Sequence, residues 1–257
     1  FRSLVEVNPQ ATCDTLFKLF FGKSIEYLKL IVEGRRNLVW ALEKLCFWED
    51  TFENASKVLL SFAAAENEEM IANNATGQFL QLFQILLPGT RATLFQRQKL
   101  IEFALSTTEF QQLGISALSR SLQTDHFSRL GGVESQGSRS TLMDFNPTYA
   151  EGIEYWKSSI MKLEKILVEH TPQRLVVKEI LLQKLAGLVR NRCLHLISSS
   201  IYKILEVLPE SRQEVFRATK KALAMGGKFI SEKEEDELTH LIEASKPQSF
   251  VDRYKLF

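Results

Sequence analysis

Gly22-Lys23-Ser24 has the residue types that close a phosphate-binding loop, in which main-chain N–H groups and a lysine cradle phosphoryl oxygens. That loop needs a further glycine five positions before Gly22, where Phe17 stands. It also needs a strand ahead of it, whereas Thr15 to Phe21 has the spacing of a helix face. The three residues read as a turn between helices, with Gly22 as the C-cap. Ser159/Lys162 and Ser200/Lys203 have the Ser-x-x-Lys spacing of a lysine-activated nucleophile. Neither pair has the Ser-Asp-Asn or Lys-Thr-Gly companions such an enzyme requires, and both sit within long amphipathic patterns. The histidines, His126, His170, His195 and His240, lack metal-ligand spacing with one another or with cysteine. Asp125-His126 supplies two members of an acid–base cluster, and no third is indicated. Cys13, Cys46 and Cys193 are far apart, odd in number and flanked by apolar residues. They read as buried free thiols, which implies a reducing compartment. No catalytic residue, cofactor-binding residue or metal ligand is assigned, and no cofactor is expected.

Charge is the remaining candidate for chemistry. The chain carries 32 basic and 31 acidic residues, a net charge of +1, so no global field draws in nucleic acid or membrane. The distribution is uneven. Between Thr171 and Lys228 there are eleven basic residues and four acidic ones. The next segment is the reverse, with Glu232, Glu234, Glu235, Asp236 and Glu237. Arg190, Arg192, Arg217, Lys220, Lys221 and Lys228 are the candidate contacts for an anion or an acidic partner, nucleic acid included. The competing reading, which is preferred, is that neighbouring helices neutralise one another across solvated faces.

The elements that must position these residues are helices. Cys13, Leu16, Phe17 and Phe20 fall at i, i+3, i+4 and i+7, and the same stripe recurs along the chain. Phe52, Ala55, Leu59, Phe62 and Ala63 repeat it, as do Ile153, Trp156, Ile160, Leu163 and Leu167. Asn8-Pro9 and Thr171-Pro172 place a capping side chain before a proline at the first helical position. Capping boxes read at Asp50/Glu53, Ser106/Glu109, Thr148/Glu151, Ser211/Glu214 and Ser231/Glu234. Gly22, Gly34 and Gly226 stand where left-handed C-caps belong.

Together these signals predict about twelve helices, near 8–21, 24–33, 36–48, 51–65, 75–87, 94–105, 107–122, 149–169, 172–190, 192–207, 211–225 and 231–244. Short connections make neighbours antiparallel, giving an all-α chain of stacked hairpins, a HEAT-like solenoid, with a compact multi-helix bundle as the alternative. Gln123 to Pro147 is rich in glycine and serine and reads as a flexible connection. It separates an N-terminal stack (1–122) from a C-terminal one (148–257). With 45% apolar and 25% charged residues the composition is that of a soluble globular protein, and no uncharged apolar run is long enough to cross a bilayer. The chain opens on Phe1 without a signal or transit peptide, as expected of an excised cytoplasmic segment.

Two stretches resemble a known architecture. Asn74-Ala-Thr-Gly-x-Phe-x-x-Leu-Phe-x-x-Leu-Leu-Pro-Gly-Thr90, followed by Arg97, is the first, and Pro147-Thr-Tyr-x-Glu-x-x-Glu-Tyr-Trp156 is the second. They are similar to segments in the helical C-terminal regions of large bacterial STAND-type NTPases, many linked to antiphage defence. The resemblance implies a sensor or scaffold region that docks a protein partner, beside flanking domains of the same parent chain. No nucleotide-binding domain accompanies it here. The functional expectation is therefore a non-enzymatic interaction, sensor or scaffold segment. The alternatives are a nucleic-acid-binding helical repeat using residues 171–228, and an enzyme whose site the sequence does not reveal.

Overall fold

The structure is a computed structural model that describes residues 2–68, 70–129, 142–169 and 171–246, apart from the side chains of Arg2, Ser3 and Lys228. Much of the Gln123–Pro147 connection, residues 130–141, lies outside the described residues. Among the described residues the protein is all-α, with thirteen α-helices and no strand. They are α1 (Arg2–Val7), α2 (Pro9–Phe20), α3 (Ile25–Lys29), α4 (Arg35–Phe47), α5 (Glu49–Ala64), α6 (Ala75–Gln81), α7 (Leu94–Ser106) and α8 (Gln111–Ser121). There follow α9 (Tyr149–Val168), α10 (Arg174–Arg190), α11 (Leu194–Val207), α12 (Arg212–Gly226) and α13 (Glu232–Ser245). The chain divides into two compact units, one of Phe1–Ser121 with Phe127–Gly152, the other of Leu122–His126 with Ile153–Phe257.

In the first unit α5 is central, packing against α2, α3, α4, α6 and α7. Its sequence explains this. Phe52, Val58, Leu59, Leu60 and Phe62 are buried, and Ala55, Ser56, Ser61 and Ala63 let neighbouring backbones approach. Phe79 of α6 and Phe83 in the turn after it extend the core, edge to face at 5.0 Å. The second unit is built around α10, which packs on α11 and α12, while α13 packs on α12. Val177, Leu181, Leu185, Leu188 and Val189 of α10 are buried, but Leu175 and Val176 near its start are not: Leu175 is 56% exposed.

A recurrent device closes the helix ends. The last carbonyls of a helix have no partner within it, and a cation is favoured there by the helix dipole. Arg35, the first residue of α4 and 1% exposed, donates from Nη1 to Leu28 O (3.0 Å) and from Nη2 to Phe62 O (2.8 Å) and Ala65 O (2.7 Å) at the end of α5. Arg174, the first residue of α10, donates to Leu167 O and Val168 O at the end of α9, both at 2.7 Å. Arg212, the first residue of α12, donates to Ala244 O near the end of α13. Buried Arg97 of α7 likewise reaches Gln84 O (3.0 Å), just past α6, and Ala92 O (2.9 Å).

Several local expectations are corrected. Asp50/Glu53 is not a capping box, because α5 starts at Glu49 and Glu53 instead binds Lys57 at 2.7 Å. Ser106 ends α7 and donates to Phe103 O, and Ser211 makes no side-chain cap. Thr171-Pro172 precedes α10, which begins at Arg174 behind Gln173. The left-handed glycine after α12 is Gly227 (φ 45°), whereas Gly226 is helical. Boxes at Thr148/Glu151 and Ser231/Glu234 are present, and Thr93/Gln96 forms one that the sequence reading passed over.

Candidate functional site

The fold gives most of the residues that looked chemical in sequence a local partner or a place in a turn. Ser159 donates to Tyr155 O (2.9 Å), and Ser200 to Glu164 (2.6 Å). Lys203 binds Glu206 at 2.7 Å, and Lys162 binds Ser158 at 2.7 Å. Gly22 takes φ 76° in the turn ahead of α3, and Ser24 caps that helix by accepting from Tyr27 N. Cys13, Cys46 and Cys193 are buried free thiols. Burial, with the Asp14 and Asp50 carboxylates adding, pushes Cys13 up to about 11, and burial also holds Cys46 well above the ordinary thiol range. Asp125 pairs with Arg190, and Gln123 donates to Asp125 O and His126 O (2.9 Å each), which binds that segment to itself. His195 and His240 are exposed, and His170 lies outside the described residues. Among the described residues no group of three or more His, Cys, Asp or Glu side chains is placed to hold a metal ion.

The two stretches behind the family resemblance are also accounted for by packing. Asn74 Oδ1 accepts from Gly77 N at 2.8 Å, and any Cβ at Gly77 would overlap the Ala72 carbonyl. Gly89 turns the chain at φ 69°, so that Thr90 Oγ1 reaches Cys46 O (2.6 Å) and Arg91 N reaches Phe47 O (2.7 Å) at the end of α4. In the second stretch Thr148 and Glu151 cap α9, and Tyr155 and Trp156 are buried.

The basic stretch is partly neutralised within its own unit. Lys178 is buried between Glu179 (2.9 Å) and Glu214. Burial alone would lower its pKa, but hydrogen bonds to Glu214 and Glu179 outweigh that and raise it. Arg192, in the left-handed region at φ 58°, donates to Phe229 O (3.1 Å). Arg217 and Lys220 are exposed on α12, with the Lys220 ammonium 5.2 Å from the Phe216 ring. The Lys228 side chain lies outside the described residues. Of the six candidates, Arg190 and Lys221 are brought together, on one cavity of about 190 Å³ between α10, α12 and Leu122–His126.

The first unit carries grooves that sequence reasoning missed. One, of about 320 Å³ between α5 and α7, has Phe52, Leu100 and Phe103 as its floor and Glu53, Lys57, Gln96 and Lys99 on its rim. Lys57 lies 5.3 Å from the Phe103 ring, and its hydrogen bond to Glu53 lowers that carboxyl's pKa. Lys99 sits 4.5 Å from the ring of Phe95, which is 67% exposed. Phe103 also lines a second cavity, of about 470 Å³, with Phe21, Ile25, Leu28 and Phe110. The only sequence signal was a cluster of phenylalanines, indistinguishable from core. No family model, no curated protein and no solved structure matches the chain.

Proposed function

We propose that this chain is an interaction segment, a sensor or scaffold region of a larger protein, that docks a protein partner through the first unit without catalysis. The observation that carries it is the pair of grooves sharing Phe103, with an apolar floor and a rim of both charges. Side chains of a partner segment would bury on Phe52, Leu100 and Phe103, while Glu53, Lys57 and Lys99 would set register and orientation. A HEAT-like stacking of hairpins, and the place beside a nucleotide-binding domain implied by the STAND resemblance, belong to this same reading.

A photo-crosslinking amino acid at Lys99 tests it, with the parent protein expressed in its own cells. A discrete adduct should form from that position, weaken with Phe103→Asp, and be missing from an equivalent probe at exposed Lys233 on α13. Equal labelling from both positions would defeat the assignment of the surface. Turnover of a substrate by the isolated chain, abolished by one substitution that leaves it folded, would defeat the non-enzymatic reading.

A further inference from the structure

We infer that the second unit has a site for a compact phosphate-class anion, in the cavity that α10, α12 and the Leu122–His126 segment enclose. Three cations line it, Lys184 and Arg190 from α10 and Lys221 from α12, against one carboxylate, Asp125. Like charges gathered in a concave site with apolar walls, here Leu122, Ala186 and Met225, raise the local potential and favour an anion between them. Arg190 gives one terminal nitrogen to Asp125, and its buried Nε makes no hydrogen bond among the described residues. Thr124, Gln123 and Gln183 add polar groups to the lining. The volume, about 190 Å³, has room for several water molecules and therefore for a tetrahedral oxyanion with part of its hydration shell.

The wall is built rather than incidental. Residue 187 is glycine, and a Cβ there would overlap the Thr124 hydroxyl. The Leu122–His126 segment thus lies directly on α10, fastened to it by the Asp125–Arg190 ion pair and held in shape by the two bonds from Gln123 to Asp125 O and His126 O. Arginine and lysine together suit a phosphoryl group, the first through directed N–H donors and the second as a mobile point charge. The proposal is independent of the docking surface on the first unit.

Calorimetric titration of the full chain with inorganic phosphate, and separately with phosphoserine as an organic monoester, tests it at ionic strength held constant with sodium chloride. Saturable binding is expected. Lys221→Gln and Lys184→Gln should each weaken it about tenfold, the effect of losing one charge-assisted contact. Lys220→Gln, its side chain set against Phe216 instead, should leave it unchanged. Tighter binding of phosphoserine assigns a phosphoryl group carried on a larger ligand, and equal affinity assigns the free anion. Absence of saturation with both probes, or equal weakening by Lys220→Gln and Lys221→Gln, would overturn the site. Lys221 is exposed, so its substitution does not endanger folding.

Discussion

At the scale of single residues, the fold depends on cations that a sequence reading assigns to solvent. Arg35 is buried and gives its guanidinium to three main-chain carbonyls, with Glu66 at 3.9 Å. Burial lowers its pKa, and the Glu66 and Glu68 carboxylates work against that. Arg35→Met leaves those carbonyls without a donor in the interior and should cost about 3–5 kcal/mol by urea denaturation. Lys157→Met, on an exposed face of α9, should shift stability by less than about 0.5 kcal/mol. Similar losses from both substitutions would mean that Arg35 contributes only charge. An arginine at the head of a helix looks the same in sequence whether solvated or buried, because its carbonyl partners lie up to 30 residues away. The thiols were legible, since apolar neighbours at helical spacing announce burial. Cys13 adds a pH dependence: its folded pKa, about 11, lies above the ordinary 9.0, so the folded state holds the proton longer. The associated stability is full below pH 9 and is lost as pH climbs towards 11. Urea midpoints measured between pH 8 and pH 10.5 should fall less steeply in Cys13→Ala than in the parent chain.

Elements were the most legible level, and their errors have local causes. Periodicity located the long helices because one face of each is buried, as in α9, where Trp156, Ile160, Leu163 and Leu167 all face the interior. Trp156→Ala should therefore cost about 3–5 kcal/mol in thermal or chemical denaturation, and an unchanged midpoint would show that the ring packs against nothing. Helix ends were read less well. An Asp, Ser or Thr three residues before a Glu satisfies the capping pattern whether or not the chain turns there, and Glu53 and Glu214 went to lysines instead. The segment expected as one helix over 75–87 stops at Gln81, and Leu87, ahead of Pro88, takes φ 53°. Gly187 shows the reverse case, a glycine inside α10 where alanine would ordinarily add about 1 kcal/mol of helix stability. Because a Cβ there meets Thr124, Gly187→Ala should destabilise, and adding Thr124→Ala should recover most of the loss. Stabilisation by Gly187→Ala alone would show that the segment does not lie against the helix.

For the molecule as a whole, helix makes up 74% of the described residues, about twice the ~30–35% of an average globular protein, and this was evident from the sequence. A far-ultraviolet spectrum should show helix with no resolvable sheet component. Charge was legible only as an inventory. The excess of cations between Thr171 and Lys228 is partly consumed by Glu179, Glu206, Glu214 and main-chain carbonyls. Of what remains, Lys184, Arg190 and Lys221 converge on one small cavity. The chain should accordingly show no duplex DNA binding at physiological salt, and a gel shift with steep salt dependence would contradict that. The grooves around Phe103 were not legible, because phenylalanines at helical spacing announce a core, and only the packing of α5 on α7 reveals which ring is left half-exposed.

The arginine ties at the helix ends also bear on how the chain reaches its fold. Each joins residues close in sequence: 7 to 30 apart at Arg35, 6 to 7 at Arg174, 32 at Arg212 and 5 to 13 at Arg97. A hairpin such as α4–α5 can therefore close its own ends using only its own residues and those just flanking it. Contacts of short sequence separation carry little loop-closure entropy and favour fast folding. The Arg35 clasp on α5 uses no residue after Ala65, so during synthesis this hairpin can shut once that stretch has cleared the ribosome, before the later helices emerge.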